Sequence, residues 1–293
     1  MRYFVAVAEH GNFTRAADEL HVAQQAVSQQ IRALEATLGA TLFRRNSRNV
    51  ELTPEGEVFL ADARRVLAAS DTAVRRVQAA SRGETGTLRL VYTILAAYET
   101  TPALLELLRT RHPQLKLGAR EVYGAQVPAL LLGGQADVAL VATSSYPPGL
   151  RQRLIRREAL RLVVGTDSAL AGRDEVDLSE LKDERFEVWP REMAPGYYDV
   201  VVGACRAAGF EPMLDTHGAG AWVWCDDIVR GRGVGLIVES ASGQFPPGIE
   251  VVDLAPPRPT LAINAVWAED NEQPAIERFL DSATSLAAEQ GWY

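Results

Sequence analysis

Residues 24–38 read Gln-Gln-Ala-Val-Ser-Gln-Gln-Ile-Arg-Ala-Leu-Glu-Ala-Thr-Leu. Placed at about 100° per residue, Val27, Ile31, Leu34 and Leu38 fall on one narrow face, and Gln25, Ser28, Gln29 and Arg32 on the opposite one. The i, i+4, i+7, i+11 spacing of the apolar set belongs to a helix packed on a small core. The outer face is uncharged apart from Arg32. It carries amides and a hydroxyl where a plain solvated helix carries Lys and Glu. Such groups suit base edges in the major groove, where Gln pairs bidentately with adenine and Arg with guanine. The stretch reads as a DNA recognition helix.

Its surroundings support that reading. Asn12-Phe13-Thr14-Arg15-Ala16-Ala17-Asp18-Glu19-Leu20 forms a short helix capped by Asn12 or Thr14, with Ala16, Ala17 and Leu20 on its inner face. His21-Val22-Ala23 is a tight turn into the Gln-rich helix, so the unit is helix, turn, helix. Gly39 ends the second helix. Two short apolar runs, Leu42-Phe43 and Val50-Glu51-Leu52, then flank a polar, Arg-rich loop. This is expected to be a β-hairpin wing whose Arg44, Arg45 and Arg48 meet phosphates or a minor groove.

The runs Arg2-Tyr3-Phe4-Val5-Ala6-Val7-Ala8-Glu9, 12–48 and Leu52-Thr53-Pro54-Glu55-Gly56 together resemble the winged helix-turn-helix of LysR-type transcriptional regulators. The resemblance implies DNA contacts from Gln24, Gln25, Ser28 and Gln29, with Arg45 and Arg48 in the wing; the helical wheel adds Arg32. There are two departures from the family pattern. The family usually has Pro where Gln25 stands, and usually carries several more residues before Arg2-Tyr3-Phe4.

Composition bounds the alternatives. The chain has 293 residues, 47% hydrophobic and 23% charged, an ordinary globular mixture long enough for two domains. No apolar run approaches the length of a bilayer span, and the start lacks a signal-peptide pattern, so a cytoplasmic location is expected. The two cysteines, Cys205 and Cys225, fit a reducing compartment. Net charge is −8, unusual for a DNA binder, but the acid is unevenly placed. Residues 1–82 hold 11 Arg against 9 Asp and Glu, and the remainder holds 19 basic against 29 acidic residues. So small an N-terminal excess implies modest, salt-sensitive non-specific affinity, and recognition through two or more copies.

From Phe59 to Ala80 there is neither Pro nor Gly, and Phe59, Ala63, Val66, Ser70, Ala73, Val77 and Ala80 repeat at 4-3-4-3-4-3. That heptad stripe predicts a dimerisation helix. After the Gly83/Gly86 break, strand-like and helical segments alternate: Thr87–Tyr92, Pro102–His112, Leu115–Val122, Gln126–Leu132, Asp137–Ala142. Further on come Arg161–Val164, Phe186–Trp189, Tyr198–Ala208, Asp226–Arg230, Val234–Val238, Leu261–Trp267 and Gln273–Glu289. The alternation predicts an α/β domain with a largely parallel sheet. Gly86-Thr87-Leu88-Arg89-Leu90, Gly134–Ala139 and Ala208–Pro212 resemble the LysR effector domain, which is two α/β lobes of the type 2 periplasmic-binding-protein kind. The expected organisation is a mainly α winged domain over 1–57, a linker helix over 58–82, a hinge at 83–86 and an effector domain over 87–293. Lobe I takes 87–159 and 261–293, and lobe II takes 160–260.

Open α/β sheets bind ligands beyond the carboxyl ends of their strands. Helix N-termini there favour an anion, so a small carboxylate is the default effector. Leu95, Ala96, Gly124, Thr143, Ser144, Arg191, Tyr197, Ala219 and Trp222 are the candidate contacts, with Arg191 pairing the carboxylate and Thr143 and Ser144 donating hydrogen bonds. The run Trp189–Asp199 resembles the corresponding loop of family members that sense aromatic-degradation metabolites. Leu95 and Gly124, however, stand where those members carry Ser and Thr. The four histidines are scattered without metal-ligand spacing, and there is no G-x-S-x-G and no P-loop. No cofactor is expected. The expected partners are double-stranded promoter DNA, a small-molecule effector and further copies of the chain, as a dimer or tetramer, with no membrane. The competing reading is a small-molecule binding protein or enzyme with a vestigial DNA-binding domain.

Overall fold

The computed structural model describes residues 1–45, 50–81, 86–142, 146–216 and 221–293. Two compact units make up the chain, the first containing the N-terminal helices and wing and the second most of the remaining residues. In the first, α1 (Arg2–His10), α2 (Phe13–Glu19) and α3 (Gln24–Leu38) precede a two-stranded wing, β1 (Phe43–Arg45) and β2 (Val50–Leu52), and the long helix α4 (Pro54–Ser81). Asn12 is the cap of α2: its side chain accepts the N–H groups of Thr14 at 2.8 Å and Arg15 at 3.1 Å. The turn into α3 places His21 in the left-handed region at φ 53°, and Gly39 closes α3 at φ 67°. Four aromatic rings centre the core. Phe4 lies 5.1 Å from both Phe43 and Phe59, and Phe13 lies 6.0 Å from Phe43.

Two expectations for α3 need correction. Leu38, assigned to the inner face, is 44% exposed, because the core is built under Val27 and Ile31 and ends before the last turn. Ser28, assigned to the outer face, is buried, and Gln24 Nε2 donates to its Oγ at 3.5 Å. Ser28 lies only about 60° around the helix from Ile31. That places it at the border of the packed face.

The start of α4 is fixed by close contact. Thr53 Oγ1 donates to the Thr41 carbonyl at 2.7 Å and accepts the Gly56 N–H at 3.0 Å. A Cβ on Gly56 would sit 2.2 Å from the Leu42 carbonyl oxygen, so only glycine admits this approach. Along the heptad stripe, Phe59 and Ala63 pack on the winged domain itself. Val66 and Val77 are 51% and 70% exposed, Ser70 and Ala73 are also exposed, and Ala80 is described in backbone only. Residues 82–85, most of the expected hinge, lie outside the described residues.

The second unit runs β3 (Thr87–Tyr92), α5 (Ile94–Ala97), α6 (Thr100–Arg111), β4 (Lys116–Glu121), α7 (Val127–Leu132), β5 (Val138–Ala142) and β6 (Leu150–Gly165). It continues through β7 (Glu175–Val176), β8 (Arg185–Glu187), α8 (Pro195–Ala207), β9 (Met213–Asp215), α9 (Ala221–Val229), β10 (Gly235–Val238), β11 (Ile249–Leu254), β12 (Thr260–Ala268) and α10 (Pro274–Gln290). The main sheet has the order β4-β3-β5-β12-β6-β11-β7, with β10 also on β6. In lobe I, β3 pairs in parallel with β4 and β5, and β5 is buried at every position, as a strand covered on both faces must be. Leu88, Leu90 and Leu140 pack toward α6 and α10, while Val91, Ala139 and Val141 pack toward α7.

The sheet is mixed rather than largely parallel. β6 is antiparallel to β12, β10 and β11, and β12 is antiparallel to β5. β6 is a 16-residue strand whose first half pairs with β12 in lobe I and whose second half pairs with β10 and β11 in lobe II. The β6–β12 ladder begins where Ala159 meets Thr260, and the Leu160 N–H donates to the Pro259 carbonyl at 2.8 Å.

Candidate functional site

On α3, Gln24, Gln25, Gln29 and Arg32 are exposed, and the amide of Gln24 is drawn toward Ser28. Among the described residues neither Arg32 nor Arg44 has an ion-pair partner, so both charges face solvent. By contrast Arg2 and Arg64 are occupied, with Asp71 at 3.2 Å and Glu9 at 2.8 Å, tying α4 to α1. In the wing Arg44 stands opposite Glu51 and Arg45 opposite Val50. Arg48 lies outside the described residues, and Arg45 is described in backbone only. One residue not marked by sequence reading positions the whole face. Glu35 Oε1 accepts the N–H groups of Leu42 at 2.8 Å and Phe43 at 3.3 Å, fastening the C-terminal part of α3 to the root of the wing. A carboxylate accepting two backbone donors is a strong anchor.

In the second unit a cavity of about 150 Å³ opens at the carboxyl ends of β3, β4 and β5. Thr93, Ile94 and Leu95 line it after β3. Glu121, Val122, Tyr123 and Gly124 follow β4, Val127 lies on α7, and Val141, Ala142 and Tyr146 come from β5 and beyond. Lobe II closes it with Trp189, Met193, Ala194, Pro195 and Tyr197. The lobes meet here through backbone, the Gly124 N–H donating to the Met193 carbonyl at 2.8 Å. A Cβ at Gly124 would lie 3.1 Å from both that oxygen and Pro195 Cδ.

The lobe II wall is tightly packed and hydrogen-bonded. Tyr197 is fully buried and its hydroxyl donates to the Leu236 carbonyl at 2.7 Å. Trp189 stacks on Trp224 with centroids 5.5 Å apart, and Trp224 Nε1 donates to the Glu187 carbonyl at 2.7 Å. Burial raises the Tyr146 phenol well above its ordinary value, so it stays a neutral donor.

Of the expected effector contacts, Leu95, Gly124 and Tyr197 line this cavity. Ala96 is buried in the lobe I core instead, on the other side of the short helix α5. Arg191 does not line the cavity. Its guanidinium donates to both carboxylate oxygens of Asp199, at 2.8 and 3.0 Å, on the exposed surface. A partner eight residues along, satisfied in a bidentate pair, removes the reason to seek a ligand carboxylate. Thr143, Ser144 and Ala219 lie outside the described residues, and Trp222 is described in backbone only. Sequence reading missed Glu121, Val127 and Tyr146; the first two flank strand ends and were within reach of the strand-end rule, whereas Tyr146 carried no signal.

Cys205 and Cys225 are free and buried, and burial pushes the Cys205 thiol up to about 12. Among the described residues no cluster of three His, Cys, Asp or Glu could hold a metal ion, and no helix is long and apolar enough to cross a membrane.

Residues 1–57 match the model of the bacterial regulatory helix-turn-helix protein, lysR family, and residues 81–288 that of the LysR substrate binding domain. The transcriptional regulator TfdS of Cupriavidus pinatubonensis (strain JMP 134 / LMG 1197) is 35% identical over 286 residues, covering 97% of this chain and 96% of that protein. ClcR of Pseudomonas putida is 32% identical over 286 residues, covering 96% of each. Among solved structures, full-length CbnR complexed with its target DNA superposes with a TM-score of 0.75 at 28% identity, over 97% of both chains. Full-length BenM gives 0.63 at 26% identity, over 100% of this chain and 97% of that one. These relatives are transcriptional regulators, not enzymes. The chain belongs to the LysR family of helix-turn-helix transcriptional regulators.

Proposed function

We propose that α3 enters the major groove of promoter DNA and reads bases through Gln25, Gln29 and Arg32, with Gln24 at its entry and Arg45 and Arg48 on the flanking backbone or minor groove. Ser28 supports the helix from its inner border. The observation that carries this reading is the set of exposed amides and the unpaired Arg32 on one face of α3, beside an unpaired Arg44 in the wing, among the described residues. A structural relative bound to its target DNA supports the same use of the domain. Two chains pair through the exposed Val66–Val77 side of α4, and pairs assemble further into a tetramer, which supplies the several recognition helices that a small basic excess demands. A small-molecule effector in the cavity between the lobes shifts their relative orientation, and must bind the two states unequally to do so. The regulator works in the cytoplasm, where its DNA is.

The test is capture of fragmented genomic DNA by the full-length protein, followed by sequencing. Enrichment of a few promoters sharing a dyad motif is expected, and loss of that enrichment in the doubly substituted Gln29→Ala, Arg32→Ala protein. Uniform capture by both proteins would overturn the assignment of α3.

A further inference from the structure

We propose that the cavity between the lobes takes a small neutral hydroxy-aromatic molecule of the phenol class and rejects carboxylates. The inference rests on the reading of this cavity as the effector site and specifies its chemistry.

Size comes first. An apolar cavity of roughly 150 Å³ holds a molecule the size of benzene, and this one measures about 150 Å³. Its aromatic walls, Trp189 and Tyr197 from lobe II with Tyr123 and Tyr146 from lobe I, offer ring faces and edges to a flat ligand.

Charge comes second. The described lining contains no Lys or Arg, and its charged member is the acid Glu121. Arg191 is spent on Asp199 at the surface. The two positions where the resembling family members carry Ser and Thr offer no free donor here: Leu95 presents a buried aliphatic chain, and the Gly124 N–H already donates to Met193. A carboxylate would lose its water here and gain no cation from the described lining, beside a carboxylate of the protein.

Unmet hydrogen bonds come third. Thr93 Oγ1 and Tyr146 Oη both line the cavity and are buried with no hydrogen-bond partner among the described residues. Buried hydroxyls call for partners. A neutral ligand hydroxyl, which both donates and accepts, meets either of them without bringing charge.

The experiment titrates the full-length protein at neutral pH with phenol and with benzoate, by calorimetry and by the shift in melting temperature. Phenol is expected to bind saturably, and benzoate, the same ring with a charged group, at least ten-fold more weakly. Thr93→Val and Tyr146→Phe keep side-chain shape and remove the hydroxyls; each is expected to weaken phenol by roughly 3- to 10-fold while leaving the ligand-free melting temperature unchanged or raised. Benzoate binding as tightly as phenol, absence of saturable phenol binding, or unaltered phenol affinity in both variants would each overturn the proposal. The same preparations are assayed for promoter capture. Failure there strikes at the regulator reading alone, while intact capture with the wrong ligand preference strikes at this proposal alone.

Discussion

Gln25, Gln29 and Arg32 reach solvent from neighbouring turns of one helix, whereas the walls of the cavity come from loops and strand ends spread between Thr93 and Tyr197. The first surface is polar, exposed and continuous in sequence. The second is apolar, recessed and assembled from two lobes. The difference lies in where specificity resides. A helix presented to DNA offers its own side chains directly, so its chemistry is decided residue by residue. A cavity offers what remains after packing, so a residue such as Arg191 can be present in the right segment and still be spent elsewhere.

Four variants test that contrast. The largest effect is expected at Gly56. Gly56→Ala forces a Cβ against the Leu42 carbonyl and should destabilise the winged domain by about 3 kcal/mol. In calorimetry this lowers one transition and abolishes DNA binding, while phenol titration of the effector domain is unchanged. If DNA binding survived, the close approach of α4 to the wing root would be dispensable. Next, Val66→Glu with Val77→Glu places charge on the uncovered side of α4. Sedimentation should show monomers, with operator affinity down by more than ten-fold; an unchanged assembly would move the dimer contact off this helix. Third, Gln29→Ala removes one side chain facing the bases and should cost about 1–3 kcal/mol of operator affinity per recognition helix, with little change on random DNA. Equal losses on both would make Gln29 a backbone contact.

The smallest effect concerns pH. Glu158 sits in β6 one residue before the lobe junction, with Arg156 Nε at 3.4 Å and the Ser240 N–H donating at 3.0 Å. Burial outweighs these partners and raises its carboxyl above the ordinary value. The native chain then holds this proton to higher pH than the unfolded chain. Stability should fall as pH rises from the usual glutamate range through the raised value, and level off above it. Glu158→Gln should flatten that slope in urea midpoints measured across the window. A slope unchanged by the substitution would locate the titration elsewhere.

Much of the DNA-binding unit was legible because its elements are local. A wheel of 15 residues places Val27 and Ile31 inside and Gln29 and Arg32 outside without any knowledge of neighbours. Its errors, Leu38 and Ser28, fall where the wheel cannot know how far the core extends. In the effector domain β3 and β5 read well as apolar runs, β5 being buried at every position, whereas the parallel edge strand β4 is polar and almost wholly exposed. The first half of β6, Leu150–Arg157, did not, because its exposed Arg and Gln residues hide a strand held by pairing with β12, more than 100 residues later in sequence. β11 was missed as well, and its place depends on β6. The cavity was legible only as a location. The rule of strand ends found Leu95 and Gly124, but nothing local shows that Arg191 closes on Asp199, or that Tyr146 returns to the wall.

The continuity of β6 has a mechanical consequence. Because one strand belongs to both lobes, and the returning chain pairs with it again at Pro259 and Thr260, the lobes cannot slide apart or separate as two bodies on a slack tether. The effector-driven reorientation proposed above would therefore have to twist the hydrogen-bonded ribbon near Ala159 and Thr260. Such a ribbon stores elastic energy as it twists and returns it when the ligand leaves. On that proposal the effector would act against a spring whose stiffness is set by ladder hydrogen bonds, and the resting pose of the lobes would return without any second signal.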